Sequence, residues 1–593
     1  MNKNIDLISF CLQNFKDKKL KKKILNNKNT FLIGNWCREE ENYLTDIRNL
    51  NILNFYKWNN HKKKTKDTKL IFSIYKKLIT SFTVKFNKIH NQNHNEKYWN
   101  FLLSRWLLTF ISQVYAKWVI SNYILKEYKI KKFFFIELNN KDFIPENTED
   151  AHNMTSDFRG YYSHFCFKEI FNYKLKSLNT MKLSSKKFDH IPKKSNNMEL
   201  ILKRTNVFHF SFFKKIFFYK ISFDKKISFI LQVKNFVFNF FFNSKKIIIK
   251  DKKNSEIRNK FFQMFEKRSG FEGFLIEHMK TLMPKEFLEN YPAIYNEHFS
   301  LNWPKDPDYI LTSYGQYYDE LFKIYCAKNI SQKTELFIFQ HGYGTYYLDD
   351  NFYSTGWDKI KCNKYFVWGD QRRKGYVPFF YPKKWLLKKS AKLEAKQSYK
   401  IISFLYGFNE QPVKSPHGYK DIYIRNKAIS YETIAFFNIL EKKLKRKISF
   451  RSLDASYKKK VEQTIKKSLN NVKIYDPYLN PFYKHLEKFD ITIHFFLGTS
   501  FFDTLFLNKP SLLIYNEEHQ FKHDKNFILM LNKLKKNNIV FDDGGKAANF
   551  LNKNLSNLEN WWNNPKVEKI KEEFRSKYCR NYNIFSKDNR IFS

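Results

Sequence analysis

Leu336-Phe337-Ile338-Phe339-Gln340-His341-Gly342-Tyr343-Gly344 is the stretch whose reading sets the fold. Four apolar residues in a row make a short strand buried on both faces. That strand runs directly into a histidine followed by glycine. Open α/β sheets present chemistry in this way, because their ligands bind outside the carboxyl ends of the strands. Glycine lets the backbone approach a ligand closely and take positive φ. A tight turn with a structural histidine has the same short pattern, so the motif alone leaves both readings open.

Strands and helices alternate on either side of it. Residues 308–312 read as a strand followed by Gly315, 318–327 as a helix, and 365–368 as a strand ending at Gly369. Two prolines and a lysine-rich tail at 377–384 read as a linker. A second alternating unit starts with a strand at 401–405 and a helix at 431–445. Strands follow at 447–450, with Arg451 at its end, and at 472–475 and 491–495. The last of these leads into Leu497-Gly498-Thr499-Ser500, a helix at 501–507, Asn508-Lys509-Pro510 and further strands at 511–515 and 539–541. A helix over 558–578, carrying Trp561-Trp562, closes the chain. Toward the N-terminus, Phe31-Leu32-Ile33-Gly34 reads as the first strand, with Asn35-Trp36-Cys37 at its tip. Trp99, Leu102, Leu103, Trp106 and Phe110 recur at helical spacing within 96–125, and Lys/Asn/Ser/Phe-rich text at 175–260 reads as an insertion or as an α/β segment. Such alternation predicts an α/β protein with parallel, doubly wound sheets. The expected layout is an N-terminal α/β domain at 1–385 with a helical insertion at 90–260, a C-terminal α/β domain at 398–556, and a terminal helical segment at 557–593. The two Rossmann-like domains would face a cleft.

Among 593 residues, 107 Lys+Arg stand against 57 Asp+Glu, a formal charge of +50. A charge of that size suits nucleic acid or an anionic membrane. Lys, Asn, Ile and Phe run high together, however, as in an AT-rich genome, and the basic residues form no single stripe. The six cysteines make no CxxC pair, so neither a zinc site nor a disulfide framework is expected, and a reducing, cytoplasmic setting fits. No apolar run precedes the early lysines, so no signal peptide is expected. The Phe-rich zone at 208–249 is broken by lysines too often to span a membrane.

Three constellations could carry chemistry. His341 at a strand tip could act as general base on an acceptor hydroxyl or donate to a phosphate. Gly498, Thr499 and Ser500 at a strand end opening a helix gather backbone N–H groups, hydroxyls and the helix dipole into an anion site, with Asp503 one turn on placed to accept from ribose hydroxyls. A helix cap with an acidic first turn is the plainer reading of the same residues. Arg451 at a strand edge suits a phosphate or carboxylate, or a surface salt bridge. Gln340, Gly342, Gly344, Trp36 and Arg105 are expected to line the cleft. Asp349-Asp350 lacks further ligands nearby, so no metal is expected, and Asp542-Asp543-Gly544 reads as a helix cap and turn. No Walker loop, no GxGxxG and no nucleic-acid fold signature is present.

Together these pieces resemble a family of bacterial transferases encoded among O-antigen and other surface-polysaccharide genes. More distantly they resemble capsule Kdo transferases and CDP-glycerol glycerophosphotransferases, which share a GT-B-like layout. The resemblance rests on the stretch from Phe31 to Cys37, Tyr98-Trp99 through Arg105-Trp106-Leu107, Gln340-His341-Gly342-Tyr343-Gly344, Tyr365-Phe366-Val367-Trp368-Gly369, Leu497-Gly498-Thr499-Ser500 with Asn508-Lys509-Pro510, and Trp561-Trp562. It implies a metal-independent glycosyltransferase with no cofactor. The donor would be a nucleotide sugar, with a CMP-linked acidic sugar as one candidate. The acceptor would be a glycan or lipid-linked glycan. The enzyme would work in the cytoplasm, against the anionic inner face of the membrane, with no specific nucleic acid. A CDP-polyol phosphotransferase of the same fold and a non-enzymatic basic binder are the alternatives. The chain departs from the family where Asn35 and Asp503 replace glutamate and where the glycine run after His341 is thinner.

Overall fold

The computed structural model describes residues 3–12, 15, 17–37, 51–53, 61–136, 138, 140–155, 160–175, 177–183, 197–201, 216–219, 246–250, 255–301, 303–342, 361–369, 376–379, 381, 394, 396, 399–405, 422–452, 473–475, 482–516 and 523–580. The first sheet is built from β1 (Lys3–Ile8), β2 (Thr30–Leu32), β3 (Asn51–Ile52), β4 (Tyr128–Ile136) and β5 (Thr180–Leu183), in the order β3-β2-β1-β4-β5 and parallel throughout. The strand expected first is therefore second. Lys3–Ile8 carries only three aliphatic residues, Ile5, Leu7 and Ile8, too short a run to stand out, yet all three are buried. Next come β6 (Asn197–Ile201), β7 (Ile216–Tyr219) and β8 (Lys246–Lys250), of which β6 and β8 pair antiparallel.

The second sheet joins β7 to β9 (Tyr309–Thr312), β10 (Glu335–Phe339), β11 (Lys364–Trp368) and β12 (Tyr376–Phe379), again all parallel and in simple chain order. Residues 377–379, expected in a linker, thus belong to an edge strand. Pro378 is tolerated there because an edge strand has one row of N–H groups that needs no partner. The third sheet contains β13 (Ile401–Leu405), β14 (Ile448–Ser452), β15 (Lys473–Tyr475), β16 (Ile491–His494), β17 (Ser511–Ile514) and β18 (Val540–Phe541), in the order β15-β14-β13-β16-β17-β18. The fold is α/β with parallel sheets, as the alternation predicts. Among the described residues, 1–385 hold two five-stranded parallel sheets and the β6–β8 pair, and the two larger sheets share one hydrophobic core that starts at Ile5 and continues into residues 497–579.

Two long helices, His61–His90 and Glu96–Glu127, supply much of that core. Asn95 caps the second by accepting from the Tyr98 N–H at 3.1 Å. Trp99, Leu103, Leu107 and Ile111 are buried on it, and so are Phe101, Leu108 and Ala116 on other faces. A helix apolar all round is a central one. None of the helices among the described residues is long and apolar enough to cross a membrane.

The terminal helix is two helices. Leu558–Trp562 ends at Asn563, and Pro565 opens Pro565–Tyr578, where its missing N–H costs nothing. This helix folds back against Thr499–Phe506 through Phe574, whose ring lies 6.3 Å from Phe501 and 5.2 Å from Phe502.

Three histidines are sealed in these cores. Burial pushes His164, His278 and His494 each down to about 3. They stay neutral in the fold, while an unfolded histidine takes up a proton near pH 6.5. Their contribution is therefore complete above that pH and declines as the pH falls toward 3. Between about pH 7.5 and about pH 5.5 the three together should cost up to about 4 kcal/mol. Urea unfolding at the two pH values measures this, and equal midpoints would show that the imidazoles are not held neutral.

Candidate active site

The tip of β10 is organised by Gln340. Its side chain is 2% exposed and brackets the turn from both sides. The backbone N–H donates to the Phe366 carbonyl at 2.8 Å, Nε2 donates to the Gly342 carbonyl at 3.1 Å, and Oε1 accepts from the Trp368 N–H at 2.9 Å. Gln340 is thus the fastener that holds His341 out at the strand end, and it does not line the cleft. His341 is exposed, and its ring meets Tyr314 at 5.8 Å edge-on and Tyr317 at 5.9 Å tilted.

Tyr314 comes from the turn after the neighbouring strand β9, and Tyr317 from the one-turn helix Gly315–Tyr318 that follows it. Thr312 Oγ1 accepts from the Gly315 N–H at 3.0 Å and tightens that turn. Glycine is required at 315, since a Cβ there would stand 2.6 Å from the Tyr219 ring and 2.9 Å from Phe322. Arg105, from the helix Glu96–Glu127, stacks its guanidinium 4.4 Å from the Tyr317 ring and 4.5 Å from Tyr318, and Nη2 donates to the Tyr318 hydroxyl at 2.7 Å. Beside Arg105 lies a small, mostly apolar pocket of about 30 Å³, lined by Trp106, Phe110, His152, Met154 and Leu282 among others.

The second tip belongs to the third sheet. Its strand order reverses between β13 and β16, which is where nucleotide-binding α/β sheets hold their ligand. Gly498-Thr499-Ser500 follows β16 at that point. Gly498 takes the N-cap position of Thr499–Phe506 and brings no capping side chain, so the first-turn N–H groups receive none from it. The second sheet has no such reversal, so the β10 tip has no crevice of its own. What it faces is the other tip: a Cβ on Gly342 would lie 3.7 Å from Thr499 Oγ1. The two tips meet at that point.

Ser500 is tied inward. Its hydroxyl lies 3.3 Å from His494 Nδ1, His494 Nε2 lies 3.1 Å from Thr492 Oγ1, and Thr492 Oγ1 lies 2.9 Å from Ser511 Oγ, which donates to the Lys509 carbonyl at 2.7 Å. Thr492 Oγ1 also lies 3.3 Å from the Pro510 carbonyl, and both carbonyls can only accept, so the Thr492 and Ser511 hydrogens run away from His494. His494 then donates from Nε2 and accepts at Nδ1, which turns the Ser500 hydroxyl hydrogen inward and leaves its oxygen lone pairs outward. His494 sits 4.9 Å from the Phe404 ring, stacked on it, and 5.6 Å edge-on from Phe501. Sequence reasoning missed His494, Tyr314 and Tyr317. A histidine in the last position of a buried strand and a Tyr-Gly-Gln-Tyr-Tyr turn after another were the available signals.

Arg451 lies in β14, with Phe404 and then His494 in the same row across β13 and β16. Two strand spacings put it roughly 10 Å from His494, and its guanidinium lies 6.0 Å from the Phe482 ring.

Two expected ligand contacts turn out otherwise. Asp503 is 2% exposed, and its carboxylate accepts from the Tyr381 hydroxyl. One turn into a helix whose flank is packed by Phe574 and Tyr381, it points into protein and away from ribose. Trp36 is 5% exposed, with its ring stacked at 6.4 Å on Phe167 in the first sheet's core. Gly344, Asp349 and Asp350 lie outside the described residues. Asp543 caps Gly544–Asn554 by accepting from the Lys546 N–H at 2.8 Å, the cap expected of it. Among the described residues no group of three or more His, Cys, Asp or Glu side chains is placed to hold a metal ion.

Gln340→Leu keeps the volume and removes both side-chain hydrogen bonds. It should lower stability by roughly 1–3 kcal/mol, the cost of leaving the Trp368 N–H and the Gly342 carbonyl unmet. Urea unfolding measures the loss, and a change within about 0.3 kcal/mol would show that other groups fasten the turn.

No curated protein matches the chain. A crystal structure from Listeria monocytogenes, provisionally assigned as a UDP-N-acetylglucosamine 2-epimerase, aligns with 50% of this chain and 82% of its own at 10% identity and a TM-score of 0.30, a similarity that requires neither shared detail nor shared chemistry. The profile of the LIC12162 family transferases matches residues 18–588, nearly the whole length, and the chain belongs to that family of transferases.

Proposed function

We propose that this transferase is a GT-B-type glycosyltransferase, moving a sugar from a nucleotide-sugar donor to a surface-polysaccharide or O-antigen-type acceptor. The observation that carries the reading is the meeting of two strand tips. The anion-suited Gly498-Thr499-Ser500 turn, at the third sheet's order reversal, abuts the turn that presents His341. In this reading residues 398–556 bind the nucleotide, residues 1–385 the acceptor, and 557–593 brace the two.

First-turn N–H groups of Thr499–Phe506 and the Thr499 hydroxyl take the donor phosphate. Arg451, further along the same sheet edge, takes a second phosphate oxygen or a sugar carboxylate, so a CMP-linked acidic sugar is one candidate donor. Ser500, with its hydrogen turned inward, accepts from a ligand hydroxyl. Imidazole is the side chain suited to moving a proton near neutral pH. As the acceptor oxygen bonds the anomeric carbon, its proton passes to His341 and the bond to the donor phosphate breaks. The leaving nucleotide keeps that electron pair, and the helix N-terminus and Arg451 stabilise its charge. This arrangement requires no metal. A cytoplasmic enzyme at the inner membrane face, reaching a lipid-linked glycan, fits the +50 charge.

Thermal shift of the full chain with CMP, UDP and GDP tests the reading. A nucleotide at about 100 times its Kd should add about 2.7 kcal/mol of stability. Arg451→Ala should weaken that binding roughly tenfold or more, the loss of a charge-assisted hydrogen bond, and Ser500→Ala by a smaller factor. If no nucleotide stabilises the wild type, or both variants respond as the wild type does, the assignment fails.

A further inference from the structure

We propose that the face formed by Tyr314, Tyr317 and His341 is a saccharide subsite that takes the C–H face of a pyranose ring. Its place in a transfer reaction rests on the glycosyltransferase reading, but its recognition chemistry stands on the three rings alone. Tyr314 is 43% exposed, a large aromatic left in solvent although Ser313 before it and Gly315 after it are buried. A single exposed aromatic needs no explanation. Here two tyrosines stand at 5.8 and 5.9 Å from one exposed imidazole, contributed by the adjacent tips of β9 and β10.

The arrangement is fixed from behind. Arg105 stacks on Tyr317 and donates to Tyr318, while the Gly315 turn is held by Thr312. The face is therefore ordered before a ligand arrives, which lowers the entropic cost of binding.

The angles decide what it suits. The Tyr314 ring meets the imidazole at 72° and Tyr317 meets it at 58°. Such rings form a corner, whereas a planar base binds best between parallel walls. A puckered sugar fits a corner: its C–H hydrogens, slightly positive, lie on the negative face of a phenol ring, and its rim hydroxyls reach the imidazole and the tyrosine hydroxyls. A hydroxyl bound there lies next to His341, so the occupant of the subsite is the acceptor sugar.

Saturation-transfer NMR on the full chain, with the methyl glycosides of glucose, galactose and N-acetylglucosamine as probes, tests this. At least one should receive saturation on the ring protons of a single face. Tyr314→Phe should keep the effect, and Tyr314→Ala should weaken binding about fivefold or more while leaving nucleotide-induced thermal shifts unchanged. Because Tyr314 lies at the surface, 43% exposed, its alanine variant should fold, and a far-UV melt checks that it does. Absence of transfer to all three probes, or equal transfer in Tyr314→Ala, overturns the proposal. So does Tyr314-dependent transfer to CMP in place of the glycosides. Glycoside binding in a protein that no nucleotide stabilises would sink the nucleotide-sugar glycosyltransferase reading and leave the subsite standing.

Discussion

A buried carboxylate holds the two strand tips in register. Asp503 sits inside Thr499–Phe506 and accepts from the hydroxyl of Tyr381, a residue just beyond the second sheet's edge strand. A polar group taken out of water has to be hydrogen-bonded, because burying it without a partner is expensive. The Asp503–Tyr381 contact therefore fixes the helix that begins at the Gly498 turn against the sheet that ends at His341. Tyr381 also donates its backbone N–H to the Arg580 carbonyl at 2.9 Å, and its ring meets Trp368 at 4.8 Å and Phe506 at 4.7 Å. One residue thus links the second sheet, the tip helix and the end of the terminal helix.

The terminal helix completes the brace. Gly369 takes φ +87, and a Cβ there would lie 2.1 Å from the Lys577 carbonyl oxygen, so only glycine lets the helix backbone lie against the end of β11. At the other side Trp562 donates to the Asn508 carbonyl at 3.0 Å, and Lys571 donates to the Asn508 side chain and the Trp562 carbonyl, each at 2.8 Å. Asn508 has φ +53, a conformation that asparagine tolerates better than most residues. These contacts give Trp562, Asn508 and Gly369 a shared structural role. They support the tip turn from behind and need touch no ligand.

The same economy explains the polar groups buried nearby. Gln340 spends its amide on its own turn and the adjacent strand. His494 relays between Ser500 and Thr492 under two phenyl rings. Each is a fastener beside a more accessible residue, exposed His341 or half-buried Ser500. At both strand ends, then, a buried polar residue orients an accessible one.

Local pattern by itself determined most of the element order from residue 305 onward, since short apolar runs ended by glycine or polar residues have few other solutions. It also marked His341, Gly342, Thr499 and Ser500 as tip residues, because strand ends with glycine and hydroxyls are legible in one dimension. Tertiary structure decided the rest. Lys3–Ile8 is a strand because β2 and β4 flank it, and 376–379 is a strand because β11 offers an edge. Asp503 became a brace and Trp36 a core residue because Tyr381 and Phe167, far away in sequence, close over them. The corner of Tyr314, Tyr317 and His341 exists only because β9 and β10 lie side by side. Periodicity is a property of neighbours along the chain, but what a side chain finally touches depends on which distant segments pack against it.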